Sequence, residues 1–261
     1  MIELNERVAW VQGGAGAVGL AVAHSLIEAG ATVVLSARDE NKLKTALSTF
    51  KTDDKVFGSV VDITNRSSVF ENASDIVKRH GKIDFLINSA GVNPSKRHWH
   101  ELSEKDWLET VDVNLSGMFF TCQAVMQDMR HRKSGCIVNI ASWAGKFAAF
   151  FAGPAYASTK RAVLALTETI NMEECVNGIR ATSISPAGID TPLLDKRPVP
   201  PSAEIRATLL RPVDVADMVR YVVSLPNHVC INEILMSPTL NLPYLGELQT
   251  AKRPVNHQSK G

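Results

Sequence analysis

The chain has almost no net charge: 28 Lys and Arg against 27 Asp and Glu leave +1 at pH 7. That removes the electrostatic reason to expect nucleic acid or an anionic membrane as partner. It has no uninterrupted apolar run of the length a membrane span needs. Its first ten residues, MIELNERVAW, carry charges and no apolar signal core. The four cysteines, Cys122, Cys136, Cys175 and Cys230, form no CxxC pair. Three lie in apolar runs, where a thiol acts as a small buried hydrophobe rather than half of a bridge. A reducing cytoplasm is the expected compartment. The seven histidines give no HExxH spacing. His98 and His100 stand two apart in a polar loop, so no metal site is expected. Internal repeats are absent too. What is left is an ordinary globular composition, 45% hydrophobic and 21% charged over 261 residues, long enough to bury a sizeable core.

Within that composition the order of elements is regular. Arg7 to Gln12 is a short apolar strand that runs into GGAGAVG and then a helix with apolar residues at Val18, Val22, Leu26 and Ile27. Gly30 stops that helix and ATVVLSAR makes a second strand. This is one βαβ unit, with the crossover that parallel strands require. Gly14, Gly16 and Gly19 stand in GxGxxG spacing between its strand and helix. A tight turn alone can demand glycine, but in this position the spacing points to a dinucleotide pyrophosphate at the helix N-terminus. The second strand ends Ser36, Ala37, Arg38, with no carboxylate where an NAD site places one for the ribose. Arg38 can pair with a 2′-phosphate, so NADP(H) is favoured and NAD(H) is the alternative. Asp39 comes one or two places late for the ribose role.

Further strands are expected over Lys55–Val61, Ile83–Asn88, Cys136–Ser142, Ile179–Ser185 and Ile231–Met236. Helices are expected over Asn41–Phe50, Asn65–His80, most of Glu101–Arg130, Pro154–Val176 and Asp214–Leu225. Seven strands alternating with helices predict a single α/β domain over 1–240, a doubly wound parallel sheet with helices on both faces. Residues 241–261 read as a polar C-terminal tail. Pro186 to Pro201 holds five prolines in sixteen residues, which excludes a regular helix or central strand. An irregular loop at the ligand edge of such a sheet, here 192–203, has the make-up of a lid.

The chemistry concentrates between Ile137 and Thr169. Tyr156 and Lys160 lie at i and i+4, one above the other on a helix face. An ammonium beside a phenol favours the phenolate and lowers the tyrosine pKa, which makes a proton donor for near-neutral pH. Ser142, at the end of the preceding strand, can hold a substrate oxygen against that phenol. A tyrosine and a lysine at this spacing are also common on solvated helices, so the pair gains meaning only from its setting. Trp143, Phe147, Phe150 and Phe151 follow Ser142, either as walls of an apolar pocket or as packing. The loop Asn93 to His100 is basic and lies near the same edge.

Taken together, the glycine turn from Gly13 to Gly19, Asn88-Ser89-Ala90-Gly91, Asn114, Ser142 and Tyr156-Ala-Ser-Thr-Lys160 resemble the short-chain dehydrogenase/reductase family in its single-domain form, over about residues 4 to 240. The resemblance implies a Rossmann fold and hydride exchange between a ketone or aldehyde and an alcohol. Tyr156 would be the general acid or base, and Lys160 would lower its pKa and bind the nicotinamide ribose. Ser142 would hold the substrate oxygen, and Asn114 would hold a water in a proton relay. Gly13 and Val18 would complete the cofactor turn, and Asp62 and Ile63 would flank the adenine. Asn88, Ala90 and Gly91 would line the cofactor, and Pro186, Ile189 and Thr191 would touch the nicotinamide. Helices at about 104–131 and 155–177 would pair between subunits in a homodimer or homotetramer. The sequence departs from the family pattern at Gln12, Ala17, Ser89 and Ala187-Gly188. Gln12 is expected to keep a hydrogen bond there. The competing readings are an NAD(H)-dependent alcohol dehydrogenase of the same fold and a dinucleotide-binding sensor without catalysis.

Overall fold

In the computed structural model, which describes residues 3–51, 54–241 and 244, the strands form one parallel sheet of seven in the order β3-β2-β1-β4-β5-β6-β7. The elements in chain order are β1 (Val8–Gln12), α1 (Ala17–Glu28), β2 (Thr32–Ala37), α2 (Glu40–Leu47), β3 (Val56–Val60), α3 (Arg66–His80), β4 (Phe85–Asn88), α4 (Glu104–Val111), α5 (Gly117–Arg132), β5 (Gly135–Ile140), α6 (Trp143–Lys146), α7 (Pro154–Glu174), β6 (Ile179–Pro186), α8 (Ala203–Arg206), α9 (Pro212–Val223) and β7 (Glu233–Met236). The order reverses between β1 and β4, which opens a crevice beyond their C-terminal ends. No helix among the described residues is long and apolar enough to cross a membrane.

Both faces of the sheet are covered, and the strands show it by alternation. In β1, Ala9 and Val11 pack with α1 and α9, against Val22, Leu26, Val215 and Val219. Val8 and Trp10 face the other way, toward Val69, Val125 and Val163 of α3, α5 and α7. Ile87 and Val138 repeat the first direction, Leu86 and Ile137 the second. A period of two with apolar residues on both faces is what a buried parallel sheet needs. Each fully buried Leu, Ile or Val contributes about 1.5–3 kcal/mol by leaving water.

Helix ends follow their caps. Ser103 accepts the Asp106 amide at 3.1 Å, and Asn65 accepts that of Ser68 at 3.2 Å. Pro154 opens α7. The segment Glu101–Arg130 is mostly helix, as expected, with a π-helical turn, Asp112–Ser116, that carries Asn114 between α4 and α5. Two expectations need correcting. The fifth strand stops at Ile140, two residues before Ser142, which caps α6 instead. Of the cysteines only Cys122 and Cys136 are buried; Cys175 and Cys230 are exposed. Past Pro186, which ends β6, the proline-rich stretch forms a 3-10 turn, Pro192–Lys196, and an isolated bridge from Ile189 to Leu210. Most of the expected tail lies outside the described residues. Asn241, however, is buried, and the Tyr244 ring packs edge-on to Trp143 with centroids 5.9 Å apart.

Candidate active site

The site forms where β1, β4, β5 and β6 end. After β1 the chain turns at Gly13, whose φ of +70° favours glycine; a Cβ there would meet the Ala90 amide nitrogen at 2.6 Å. The turn therefore lies flat against the loop after β4. Ser89 fixes that contact, donating its amide to the Gln12 carbonyl at 3.1 Å and its hydroxyl to the same oxygen at 2.6 Å. The departure at Ser89 thus carries a job of its own. Gln12 does not keep the hydrogen bond expected of its side chain: its amide is buried, and neither Nε2 nor Oε1 has a partner among the described residues.

A dinucleotide fits this turn. Gly16 caps α1 with backbone alone, so no side chain occupies the helix's first free N–H groups. Arg38 is exposed just past β2. Asp39 is committed to α2, accepting the Lys42 amide at 3.0 Å. Asp62 accepts the amide and hydroxyl of Thr64, at 3.0 and 2.8 Å, and Ile63 is buried beside Gly117. Asn88 meets the crevice through its main chain. Its side chain turns inward, donating to Asn139 at 2.9 Å and accepting from Thr121 at 2.7 Å, so only its backbone is left for a cofactor.

Beyond the turn opens a cavity of about 770 Å³, the size of a small-molecule site. It brings together Val18, Gly91, Ser142, Tyr156, Lys160, Pro186, Ile189 and Thr191 from the residues singled out in the sequence, with Trp143, Phe147, Phe150 and Phe151 as walls. The Lys160 ammonium lies 5.7 Å from the Tyr156 ring centroid, so the one-face geometry holds. Lys160 is buried, donates to the Ile140 carbonyl at 2.7 Å, and burial lowers its pKa to about 8. Burial raises the Tyr156 pKa; the groups that pull it back are the Ser142 hydroxyl, then Arg197 and Arg97.

Asn114 sits outside the cavity wall, fully buried on its π-helical turn. Its amide group donates to the Val92 carbonyl at 2.9 Å and the Thr159 hydroxyl at 3.3 Å, and accepts the Val92 amide at 2.8 Å. It locks the loop after β4 to α7. Sequence reasoning missed Ser89, Thr159, Arg197 and Tyr244. Only Arg197 had a usable signal, as a cation in the loop after the sixth strand. That loop is also tied down: Arg206 pairs with Asp190 at 3.1 Å and with Asp195, and Arg97 donates to the Lys196 carbonyl at 2.7 Å.

Comparison with known proteins agrees with this geometry. The sequence model of the short chain dehydrogenases matches residues 7–199. An uncharacterized oxidoreductase of Staphylococcus saprophyticus is 34% identical over 243 residues, covering 91% of this chain and 100% of the relative. A serine dehydrogenase solved in its closed form with NADP+ superposes with a TM-score of 0.81 at 27% identity, over 88% of this chain and 94% of that one. An alcohol dehydrogenase of the archaeon Thermococcus sibiricus, complexed with 5-hydroxy-NADP, gives 0.78 at 25% identity, over 89% and 97%. With a family match across most of its length and a relative aligned end to end, and with Ser142, Tyr156 and Lys160 in one cavity, the chain belongs to the short-chain dehydrogenase family and is an oxidoreductase of that kind.

Proposed function

We propose that the protein interconverts a ketone or aldehyde and the corresponding alcohol with NADP(H), using Tyr156 as general acid and base. The observation that carries this reading is the convergence of Ser142, Tyr156 and Lys160 on one cavity beside the glycine turn. The nicotinamide, when bound, supplies or accepts hydride at the substrate carbon. The chain supplies position and proton. Tyr156 gives a proton to the carbonyl oxygen in reduction and takes it from the hydroxyl in oxidation. Ser142 donates a hydrogen bond to the same oxygen. Lys160, whose ammonium already has one carbonyl partner, turns its remaining donors to the nicotinamide ribose. Asn114 serves as a positioning residue, since its amide hydrogen bonds hold Val92 and Thr159 beside the reacting groups.

Preference for NADP(H) over NAD(H) rests on Arg38, exposed at the end of β2, together with Asp39 being engaged as a helix cap. Gly13, Gly14, Gly16, Gly19, Asp62, Ile63, Ala90 and Gly91 hold the remainder of the dinucleotide in this reading. A homodimer or homotetramer through α4, α5 and α7 is supported by the exposed Leu108, Phe119 and Met172 on those helices; sedimentation of a monomer would refute it. The function is tested by a panel of carbonyls and alcohols run with both cofactors. Turnover is expected, with Tyr156→Phe lowering it by about a hundredfold or more. A Tyr156→Phe enzyme as active as the wild type overturns the mechanism.

A further inference from the structure

The charge in the cavity is one-sided. Its charged lining residues are Lys160, Arg97 and Arg197, and no Asp or Glu is among the described residues that line it. Lys160 has its carbonyl partner and its place beside the cofactor. The two arginines are unexplained by that chemistry.

Arg97 comes from the loop after β4 and is only 3% exposed. Its Nη1 donates to the Phe151 carbonyl at 3.3 Å and its Nη2 to the Lys196 carbonyl at 2.7 Å, while Nε is buried without a partner among the described residues. Arg197 comes from the loop after β6 and is half-buried, its guanidinium 4.5 Å from the centroid of the Phe151 ring. No carboxylate among the described residues pairs with it; burial holds its pKa below the ordinary arginine range, with Tyr156 raising it and Arg206 lowering it. Arg97 is lowered too, by burial and then by Arg197, against smaller pulls from Tyr156 and Glu101; Glu101 takes the Arg97 backbone amide at 3.1 Å, and no carboxylate among the described residues bonds its guanidinium. Two guanidinium groups thus flank Phe151 from opposite loops, desolvated and mutually repelling. Buried charges are ordinarily paired, because an unpaired one loses its hydration without return. An arrangement that keeps two of them at a ligand cavity is completed by an anion that the ligand brings.

We propose that the substrate is a hydroxy or oxo acid whose carboxylate is held by Arg197 and Arg97 while its alcohol or carbonyl carbon lies at Tyr156. This rests on the oxidoreductase reading above and names the substrate class for it. The planar fork of a guanidinium matches the two oxygens of a carboxylate. No described residue takes a hydrogen bond from the Arg197 guanidinium, so its donors are open to a ligand; the terminal nitrogens of Arg97 brace the 150–152 and 192–197 segments. Arg97, Arg197 and Tyr156 line the same cavity, so a small acid can reach the arginines and the reacting oxygen together. The apolar walls, Trp143, Phe147 and Tyr244, take the rest of the molecule. The arginines bind and orient, and take no part in the bond changes.

A matched series decides it: a 3-oxo acid, its methyl ester and its phosphonate analogue, each reduced by the wild type, Arg197→Gln and Arg197→Lys. The wild type is expected to prefer the acid over the ester by about tenfold or more in kcat/KM, chiefly through KM. Arg197→Gln should remove most of that preference and Arg197→Lys should keep part of it. Calorimetric titration of the hydroxy acid into the protein should show the same loss of affinity with no turnover involved. Equal use of acid and ester by the wild type, preference for the phosphonate, or an acid preference untouched in Arg197→Gln overturns the proposal and leaves the oxidoreductase reading standing. If no carbonyl, charged or neutral, is turned over with either cofactor, the oxidoreductase reading falls, and the calorimetric comparison still decides whether a carboxylate binds Arg197.

Discussion

The two edges of the sheet use charge in opposite ways. At the N-terminal edge, Asp84 is 3% exposed and sits among three cations: Arg7 at 3.1 Å, Lys82 at 3.4 Å and Arg132 at 3.6 Å. It also accepts the Val8 amide at 2.9 Å, so its oxygens are satisfied and β1 is pinned to β4. At the C-terminal edge, Lys160, Arg97 and Arg197 line a cavity with no carboxylate among its described walls. One cluster is complete within the chain and its partners reach solvent. The other is incomplete, and what completes it must come from outside. A satisfied cluster holds the fold; an unsatisfied one is the mark of a binding edge.

The strongest way to break this contrast is to exchange the demands. Asp84→Asn removes the charge that three cations share and should cost about 2 kcal/mol, or roughly 4–8 °C in Tm for a chain of this size. Arg197→Gln removes a cation that no described carboxylate balances, so Tm should hold or rise. Thermal unfolding of the two variants side by side checks both. If they lose stability equally, the difference between the edges is not one of pairing.

Much of this was open to reading from the chain because it depends on local pattern. The βαβ order follows from periodicity and glycine placement, and the serine, tyrosine and lysine follow from spacing within one strand–loop–helix unit. Hidden from the sequence were features set by contacts across long separations. Nothing near Asn114 announces a π-helical turn, nor that Thr159 and Val92 occupy its amide. Helical spacing puts Lys160 near the Tyr156 ring but says nothing about the burial of either group or about the Ile140 carbonyl that Lys160 meets. Arg197 is 41 positions past Tyr156 in a loop whose path no local rule fixes, so its arrival at the site appears only in three dimensions.

A smaller effect separates the adenine end of the crevice from the substrate end. Arg38 is exposed, where Arg97 is buried, so its charge is screened and its contribution should be modest. Arg38→Asp should shift the ratio of kcat/KM for NADPH over NADH toward NADH by about ten- to a hundredfold, since it removes a phosphate partner and installs a ribose acceptor. An unchanged ratio would locate cofactor choice elsewhere in the turn.

The smallest effect, and the one that sharpens the comparison most, is on the pH profile. Burial raises the Tyr156 pKa, while Ser142, Arg197 and Arg97 lower it. A cation favours the phenolate, so removing Arg197 leaves the phenol harder to ionise and its pKa higher. In the oxidation direction the base form is the active one, so the rate rises with pH through that pKa. The rising limb of kcat/KM should therefore move to higher pH in Arg197→Gln. Arg197→Lys keeps the charge and should leave the limb near its wild-type position. A limb displaced as far by lysine as by glutamine would show that shape rather than charge links Arg197 to Tyr156, and the cationic edge would then act on the substrate alone and not on the proton that the tyrosine moves.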